Sequence, residues 1–82
     1  MTNYEVQYGT HPDKAGQPFR VKTVNFTGED ALEKSRHFFE KVKRTAERSK
    51  STWTISLWER YTDGAPRRWL VMSETTNPKG II

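Results

Sequence analysis

Residues 28–49 contain the strongest pattern in the sequence, a set of apolar and small side chains that recur at spacings of three and four. In a helix this spacing places them on one face. The members of this stripe are Ala31, Leu32, Ser35, Phe38, Phe39, Val42 and Ala46. Thr27 precedes the stripe, and acidic residues lie between Thr27 and the first residue of the stripe. This combination is typical of a helix start. We therefore expect a helix that packs one face on a sheet and exposes the rest.

The segment before this helix has two strand patterns. Residues 3–8 alternate strictly between apolar and polar side chains, which is typical of a half-buried strand. Residues 19–26 predict a second strand whose apolar positions change parity, so we expect a bulge near Lys22 and Thr23. Between the two strands, residues 9–18 hold two Gly and two Pro and predict a loop.

The segment after the helix predicts a β-hairpin from residues 52–61 and 67–73 around Asp63-Gly64, a strong turn signal. A regular register centred on this dipeptide opposes Trp58 to Trp69. The same side of the hairpin then carries three further residues: Arg60, Arg67 and Val71. The other side carries the residues that we expect Leu32, Phe38, Phe39 and Val42 of the helix to cover: Ile55, Leu57, Leu70 and Met72.

The order strand, strand, helix, strand, strand predicts an α+β fold, ββαββ, with a four-stranded antiparallel sheet and one helix packed on one face. We treat residues 1–82 as a single domain with one small core. Because the chain has no Cys, this core has no disulfide to support it. Residues 75–82 are polar until the final two Ile, and we expect them to form a mobile tail unless those Ile dock.

Composition excludes two classes of protein. Aromatic residues make up 12% of the chain, whereas disordered chains are poor in aromatics, so we expect a folded domain. No apolar run approaches the roughly 20 residues that a membrane-spanning helix needs. The N-terminus also lacks the basic and apolar regions of a secretory signal. We therefore expect a cytoplasmic protein with no membrane partner.

Groups that catalysis requires are scarce in this sequence. The absence of Cys excludes thiol catalysis and Cys-ligated zinc. His11 and His37 have no Ser or Cys partner at a recognisable spacing, and the five Gly form no phosphate-binding motif. We therefore expect a non-enzymatic protein with no cofactor and no metal site.

The sheet face that the helix leaves uncovered is the first candidate binding surface. The predicted register places Trp58 and Trp69 there beside Arg60, Arg67 and Val71. Because Trp and Arg most often anchor protein interfaces, this face is a candidate partner-binding site. The alternative is that the two Trp rings form a cross-strand stack that only stabilises the sheet, covered in part by the first loop or the tail.

The helix carries a second candidate surface, a basic stripe at steps of three and four: Lys34, His37, Lys41, Arg44 and Arg48. With a formal net charge of +4, the chain could use this stripe to follow the phosphates of a nucleic acid. However, Asp30, Glu33 and Glu40 each stand four positions before a stripe residue. Such spacing is typical of ion pairs on a solvated helix, and we favour that interpretation.

The chain resembles the small accessory proteins of bacteriophages of the anti-CRISPR type, since it is short, free of Cys and rich in charge with a few aromatic residues. The resemblance is architectural and assigns no site residue. It implies a non-catalytic inhibitor that docks on a host nucleoprotein complex.

Two kinds of partner follow from these surfaces and this resemblance. We expect a protein or nucleoprotein complex as the partner of the uncovered sheet face. Direct binding of DNA or RNA through the basic stripe and the sheet aromatics is the alternative. The chain itself is then a monomer, or a homodimer formed through the Trp face.

Overall fold

A computed structural model of the protein describes residues 2–11, 20–61, 64 and 67–77. Its elements in chain order are β1 (Thr2–Thr10), β2 (Arg20–Phe26), α1 (Ala31–Arg48), β3 (Trp53–Tyr61) and β4 (Arg67–Thr76). The strands form one antiparallel sheet in the order β2-β1-β3-β4, with α1 packed against it. The predicted α+β fold of ββαββ order is confirmed. Most of the predicted first loop and Asp63 of the predicted turn lie outside the described residues.

The core lies between α1 and the two central strands. Alternation along β1 turns Val6 towards the helix, and its partner Leu57 on β3 faces the same way. Both side chains are fully buried. The cluster is completed by Phe39, Val42, Ala46 and Ile55. The prediction that Phe39 and Val42 pack against Ile55 and Leu57 is therefore confirmed.

The helix begins later than the sequence predicts. Asp30 occupies the N-cap position and makes no side-chain capping bond. The Ala31 amide donates to the Gly28 carbonyl oxygen over 3.2 Å, and Gly28 has a φ of 96° that favours glycine. Because this glycine turn separates Thr27 from the first helical residue, the predicted capping role of Thr27 is wrong.

Strand β2 is regular, so the predicted bulge near Lys22 and Thr23 is wrong. Its pairing with β1 runs without a shift from Thr10 opposite Arg20 to Tyr4 opposite Phe26. The parity change in the apolar residues has a different cause: Val21 points to the face away from α1, where it is 48% exposed. Phe19, the other residue of that parity, lies outside the described residues.

The register of β3 and β4 differs from the predicted one. Trp58 pairs with Leu70 and Glu59 pairs with Trp69, so the predicted opposition of Trp58 to Trp69 is wrong. The physical reason is the connection: Tyr61 pairs with Arg67, which leaves an odd number of residues between the strands. A bulge then shifts the pairing again between Leu57 and Trp58, with Val71 as the extra residue on β4.

The shifted register removes Leu70 from the core. Met72, which pairs with Leu57, packs against the core cluster as predicted. Leu70 instead lies on the opposite face and is 52% exposed. Its predicted contact with the helix is therefore wrong.

Asn77 joins the end of β4 to the end of α1. Its φ is 46°, and its Nδ2 donates to the carbonyl oxygens of Ala46 (3.0 Å) and Ser49 (2.5 Å). These carbonyls belong to the last turn of the helix and its cap, where intrahelical donors are missing. Thr75 and Thr76, which the sequence assigns to the tail, belong to β4. Residues 78–82 lie outside the described residues.

Candidate functional site

Four residues contact one another at the centre of the sheet face away from α1. We call them the Glu5 cluster (Glu5, Trp58, Arg60 and Arg68). Glu5 is 5% exposed. Arg60 Nη1 donates to its Oε2 over 3.1 Å, and Arg68 Nη1 donates to its Oε1 over 3.0 Å. The Arg68 guanidinium also lies 4.2 Å from the centroid of the Trp58 ring. Each oxygen of the buried carboxylate therefore has its own cationic donor.

Two residues predicted to bind a partner, Trp58 and Arg60, belong to this cluster. Trp58 is half-buried beneath Arg68, and Arg60 neutralises Glu5. Removing Arg60 would leave the buried Glu5 with one arginine in place of two, which costs stability. Their contacts therefore stabilise the sheet, although Arg60 remains exposed.

The other predicted partner-binding residues lie along the edge strand β4. We call Arg67, Trp69, Leu70 and Val71 the β4 patch. Trp69 is 60% exposed, Leu70 52% and Val71 38%. Trp69 pairs with Glu59 on the helix side of the sheet and Leu70 pairs with Trp58 on the other side. The exposed apolar side chains of this edge strand therefore lie on both of its faces. The predicted placement of Trp69 and Arg67 on the uncovered face beside Trp58 is therefore wrong, because the odd connection shifts the register.

Two contacts hold the helix side of the β4 patch in place. The Arg67 guanidinium lies 5.3 Å from the centroid of the Tyr61 ring. The Tyr61 hydroxyl in turn donates to Glu59, the residue opposite Trp69. Burial raises the pKa of the Tyr4 hydroxyl, and the charge of Glu59 together with a hydrogen bond to it raises that pKa further. The Tyr4 hydroxyl therefore keeps its proton to a higher pH than an ordinary tyrosine does.

A different surface lies at the opposite edge of the sheet, between β2 and α1. Four half-buried aromatic rings form a row there: Trp53, Tyr8, Phe38 and Phe26. Trp53 stacks on Tyr8 with 6.4 Å between ring centroids, and Phe38 contacts Tyr8 at 5.7 Å and Phe26 at 5.6 Å. Hollows of about 490 Å³ and 600 Å³ lie along this row, one against Tyr8 and Trp53, the other against Phe38 and Phe26. We call this surface the β2–α1 groove.

Cations line both hollows of the β2–α1 groove. Arg20 and Lys22 lie on the β2 side of the first hollow. Lys34, His37 and Lys41, three members of the predicted basic stripe, lie on the α1 side of the second. Arg44 and Arg48 continue the stripe along α1 and are exposed. The structure thus joins part of the stripe to two basic residues of another element.

The predicted pairing of the stripe with acidic residues of the helix is wrong. In the described ranges, the ion pairs within 4.0 Å join Lys43 to Glu74 and the two arginines to Glu5. Asp30, Glu33 and Glu40 form none with the stripe there. The exposed side chains extend into solvent, because a solvated helix pair contributes only a few tenths of a kcal/mol.

Sequence reasoning missed Arg20 and Lys22 of the groove and the exposure of Leu70. The groove residues had a signal, because Arg20 and Lys22 share the parity of Phe26. A regular strand with Phe26 towards the helix would have placed both on the groove side. Leu70 had none, since its position depends on the number of residues in the connection and on the bulge.

Comparison of the chain with protein-family models, curated proteins and solved structures finds no match. Within the described residues, no helix has both the length and the apolar character needed to cross a membrane. His11, the histidine of the first loop, has its Nε2 2.6 Å from Thr54 Oγ1 and follows β1 directly. The candidate surfaces therefore rest on geometry and charge alone.

Proposed function

We propose that this protein is a non-enzymatic binding protein that docks on a protein component of a nucleic-acid-handling complex through the β4 patch. The observation that supports this is the run of exposed apolar side chains Trp69, Leu70 and Val71 on an edge strand. Contiguous exposed apolar surface is typical of an interaction site on a small protein. Trp at the centre and Arg67 at the rim match the usual composition of interfaces.

The β4 patch is also protected against unspecific pairing with other sheets. The bulge at Val71 interrupts the ladder of the edge strand, and Arg67 and Arg68 place charge beside it. Bulges and charges at an edge discourage sheet-to-sheet aggregation. A partner that covers the apolar side chains therefore has to fit this irregular edge, which favours a specific protein.

The class of partner comes from the charge and from the resemblance to anti-CRISPR proteins. A net charge of +4 speeds encounter with an acidic protein surface or a complex that carries nucleic acid. The resemblance adds the consequence of binding: the bound protein blocks access of nucleic acid or of another component. This role places the protein in the cytoplasm of the host.

The test is capture from a lysate of the native host, with nuclease treatment, followed by titration of the purified captured component. The test variant is Trp69→Ala with Leu70→Ala, and the matched control is Val21→Ala, an exposed apolar residue at the other edge. We expect the double variant to lose more than about 2 kcal/mol of binding free energy because Trp anchors dominate interfaces. The control should bind as the parent chain does.

Three results would overturn the proposal. The first is unchanged affinity of a well-folded double variant for the purified component. The second is capture that disappears with nuclease, which shows that nucleic acid carried the interaction. The third is a homodimer in sedimentation that the double variant dissociates, because the β4 patch would then be its own partner.

A further inference from the structure

We propose that the β2–α1 groove binds single-stranded nucleic acid. This inference goes beyond the proposed function, since it concerns the opposite edge of the sheet and shares no residue with the β4 patch. The observation that carries it is a row of half-buried aromatic rings with exposed cations at both ends. Proteins that hold single strands combine a basic groove for the backbone with aromatic side chains for the bases.

The cations of the groove are available to phosphates. Arg20, Lys22, Lys34 and Lys41 are all exposed, and among the described residues none of them pairs with a carboxylate. The two on β2 line the hollow at the Trp53 end of the aromatic row, and the two on α1 line the hollow at the Phe26 end. A strand laid along the row therefore meets cations at both ends of the groove.

The aromatic row distinguishes a single strand from other polyanions. Its ring centroids are 5.6 to 6.4 Å apart, and each ring keeps part of its surface exposed. Unpaired bases can pack on such rings, and each base that does so adds binding free energy. In a duplex the bases stack on each other, so the rings would contact only sugar and phosphate.

Two carboxylates limit where the phosphates lie. Asp30 and Glu33 line the groove at its Phe26 end. Phosphates are repelled there, so the backbone should follow Arg20, Lys22 and Lys41 towards the Trp53 end. An acidic peptide would meet the same repulsion and would gain little from the aromatic row, which is why a nucleic acid is the better fit.

The experiment is fluorescence anisotropy of the full chain with a labelled oligo(dT) strand of about 12 nucleotides, a length within the usual range for a small domain. The comparison ligands are the same length of duplex DNA, an abasic strand with the same number of phosphates, and polyglutamate. We expect the oligo(dT) strand to bind at least about tenfold more tightly than the abasic strand. Duplex and polyglutamate should bind more weakly than oligo(dT).

The salt dependence of the affinity and a matched pair of variants test whether the strand binds in the β2–α1 groove. With the three cations Arg20, Lys22 and Lys41 on this path, the plot of log affinity against log salt should have a slope of about −2. The test variant is Lys22→Gln with Lys41→Gln, and the control is Arg36→Gln with Lys43→Gln, which removes the same charge from the other flank of α1. The test variant should lower the affinity about tenfold and reduce the slope by about 1.4, while the control changes affinity less than about twofold.

Each contrary result overturns the inference. Equal binding of the abasic strand shows that the rings hold no base, and tighter duplex binding shows that the single strand is the wrong ligand. Equal competition by polyglutamate assigns the groove to an acidic peptide. Equal losses in the test and control variants show that net charge, not the groove, carries the binding. None of these results affects the β4 patch, whose test uses a protein partner and survives nuclease.

Discussion

The two edges of the sheet carry similar residue types but differ in which of them are exposed to solvent. At the β4 edge the arginines are engaged, Arg68 with Glu5 and Trp58, and Arg67 with Tyr61, while the apolar side chains are exposed. At the β2 edge the cations are exposed and the aromatic rings are half-buried. The difference teaches that Trp and Arg content alone does not identify an interface. What each residue already contacts decides whether it is available to a partner.

The difference follows from the width of one helix. α1 buries Val6, Ile55 and Leu57 of the central strands completely. It leaves both edge strands only partly covered, because one apolar stripe cannot span four strands. On the β2 side the uncovered margin is filled by aromatic rings and flanked by Lys and Arg. On the β4 side it is not filled, and Trp69 stays in solvent.

The largest expected effect comes from the core that both edges share. Phe39 is fully buried at the centre of that core, so Phe39→Ala should destabilise the protein by about 3 to 5 kcal/mol. That is a large part of the total stability expected of so small a domain. Urea unfolding followed by circular dichroism measures the loss. A midpoint equal to that of the parent chain would show that Phe39 is not part of the core.

The next largest effect concerns the Glu5 cluster, whose arginines are engaged while the described cations of the β2 edge are not. Glu5→Gln leaves Arg60 and Arg68 without their carboxylate, and we expect a loss of about 2 kcal/mol, because both arginines are 44% exposed and water compensates in part. The fluorescence of Trp58 should change, since Arg68 is no longer held over its ring. Glu47→Gln on the exposed side of α1 is the matched control. Equal stability of both variants would mean that the Glu5 cluster does not stabilise the sheet.

The sequence predicted the parts of the fold that depend on local periodicity. The stripe of α1 identified Phe39 and Val42 as core, and the alternation of β1 predicted a half-buried strand. The predicted β3–β4 register failed, because it depends on the length of the connection and on a bulge. A shift of one residue turns every side chain to the other face, which moved Leu70 out of the core.

The candidate sites depend on contacts between distant elements, which local sequence patterns do not show. The predicted anchors Trp69, Arg67 and Val71 share one edge, but Trp58 and Arg60 belong to the Glu5 cluster. Glu5 lies more than 50 positions from both of its arginines in the sequence, and its alternation with Val6 predicts only a polar position on the exposed face. The β2–α1 groove likewise needs the pairing of β2 with β1 before Lys22 can be placed beside the helix.

A smaller effect comes from the connection between α1 and β4. Asn77→Ala removes the side-chain donor to Ala46 and Ser49 and places a residue with a Cβ but no amide at a φ of 46°. We expect a loss of about 1 kcal/mol and faster hydrogen exchange in the last turn of α1. Asn77→Gly keeps the backbone conformation accessible, so it isolates the amide. If both variants exchange as slowly as the parent chain, the amide does not hold the helix end.

The smallest effect concerns the hydroxyl of Tyr4 on β1, which pairs with Glu59 on β3. Burial, with the neighbouring Glu59, raises its pKa in the folded chain above the ordinary value of 10.0. Above that pH the unfolded chain releases the proton while the folded chain keeps it, so stability falls as pH rises. Tyr4→Phe has no such proton. Its urea midpoint should therefore fall less than that of the parent chain when the pH is raised from below 10 to above 10. Below pH 9 the urea midpoints of the variant and of the parent chain should change equally with pH. If stability falls equally in both chains above pH 10 as well, burial and Glu59 do not raise the pKa of Tyr4.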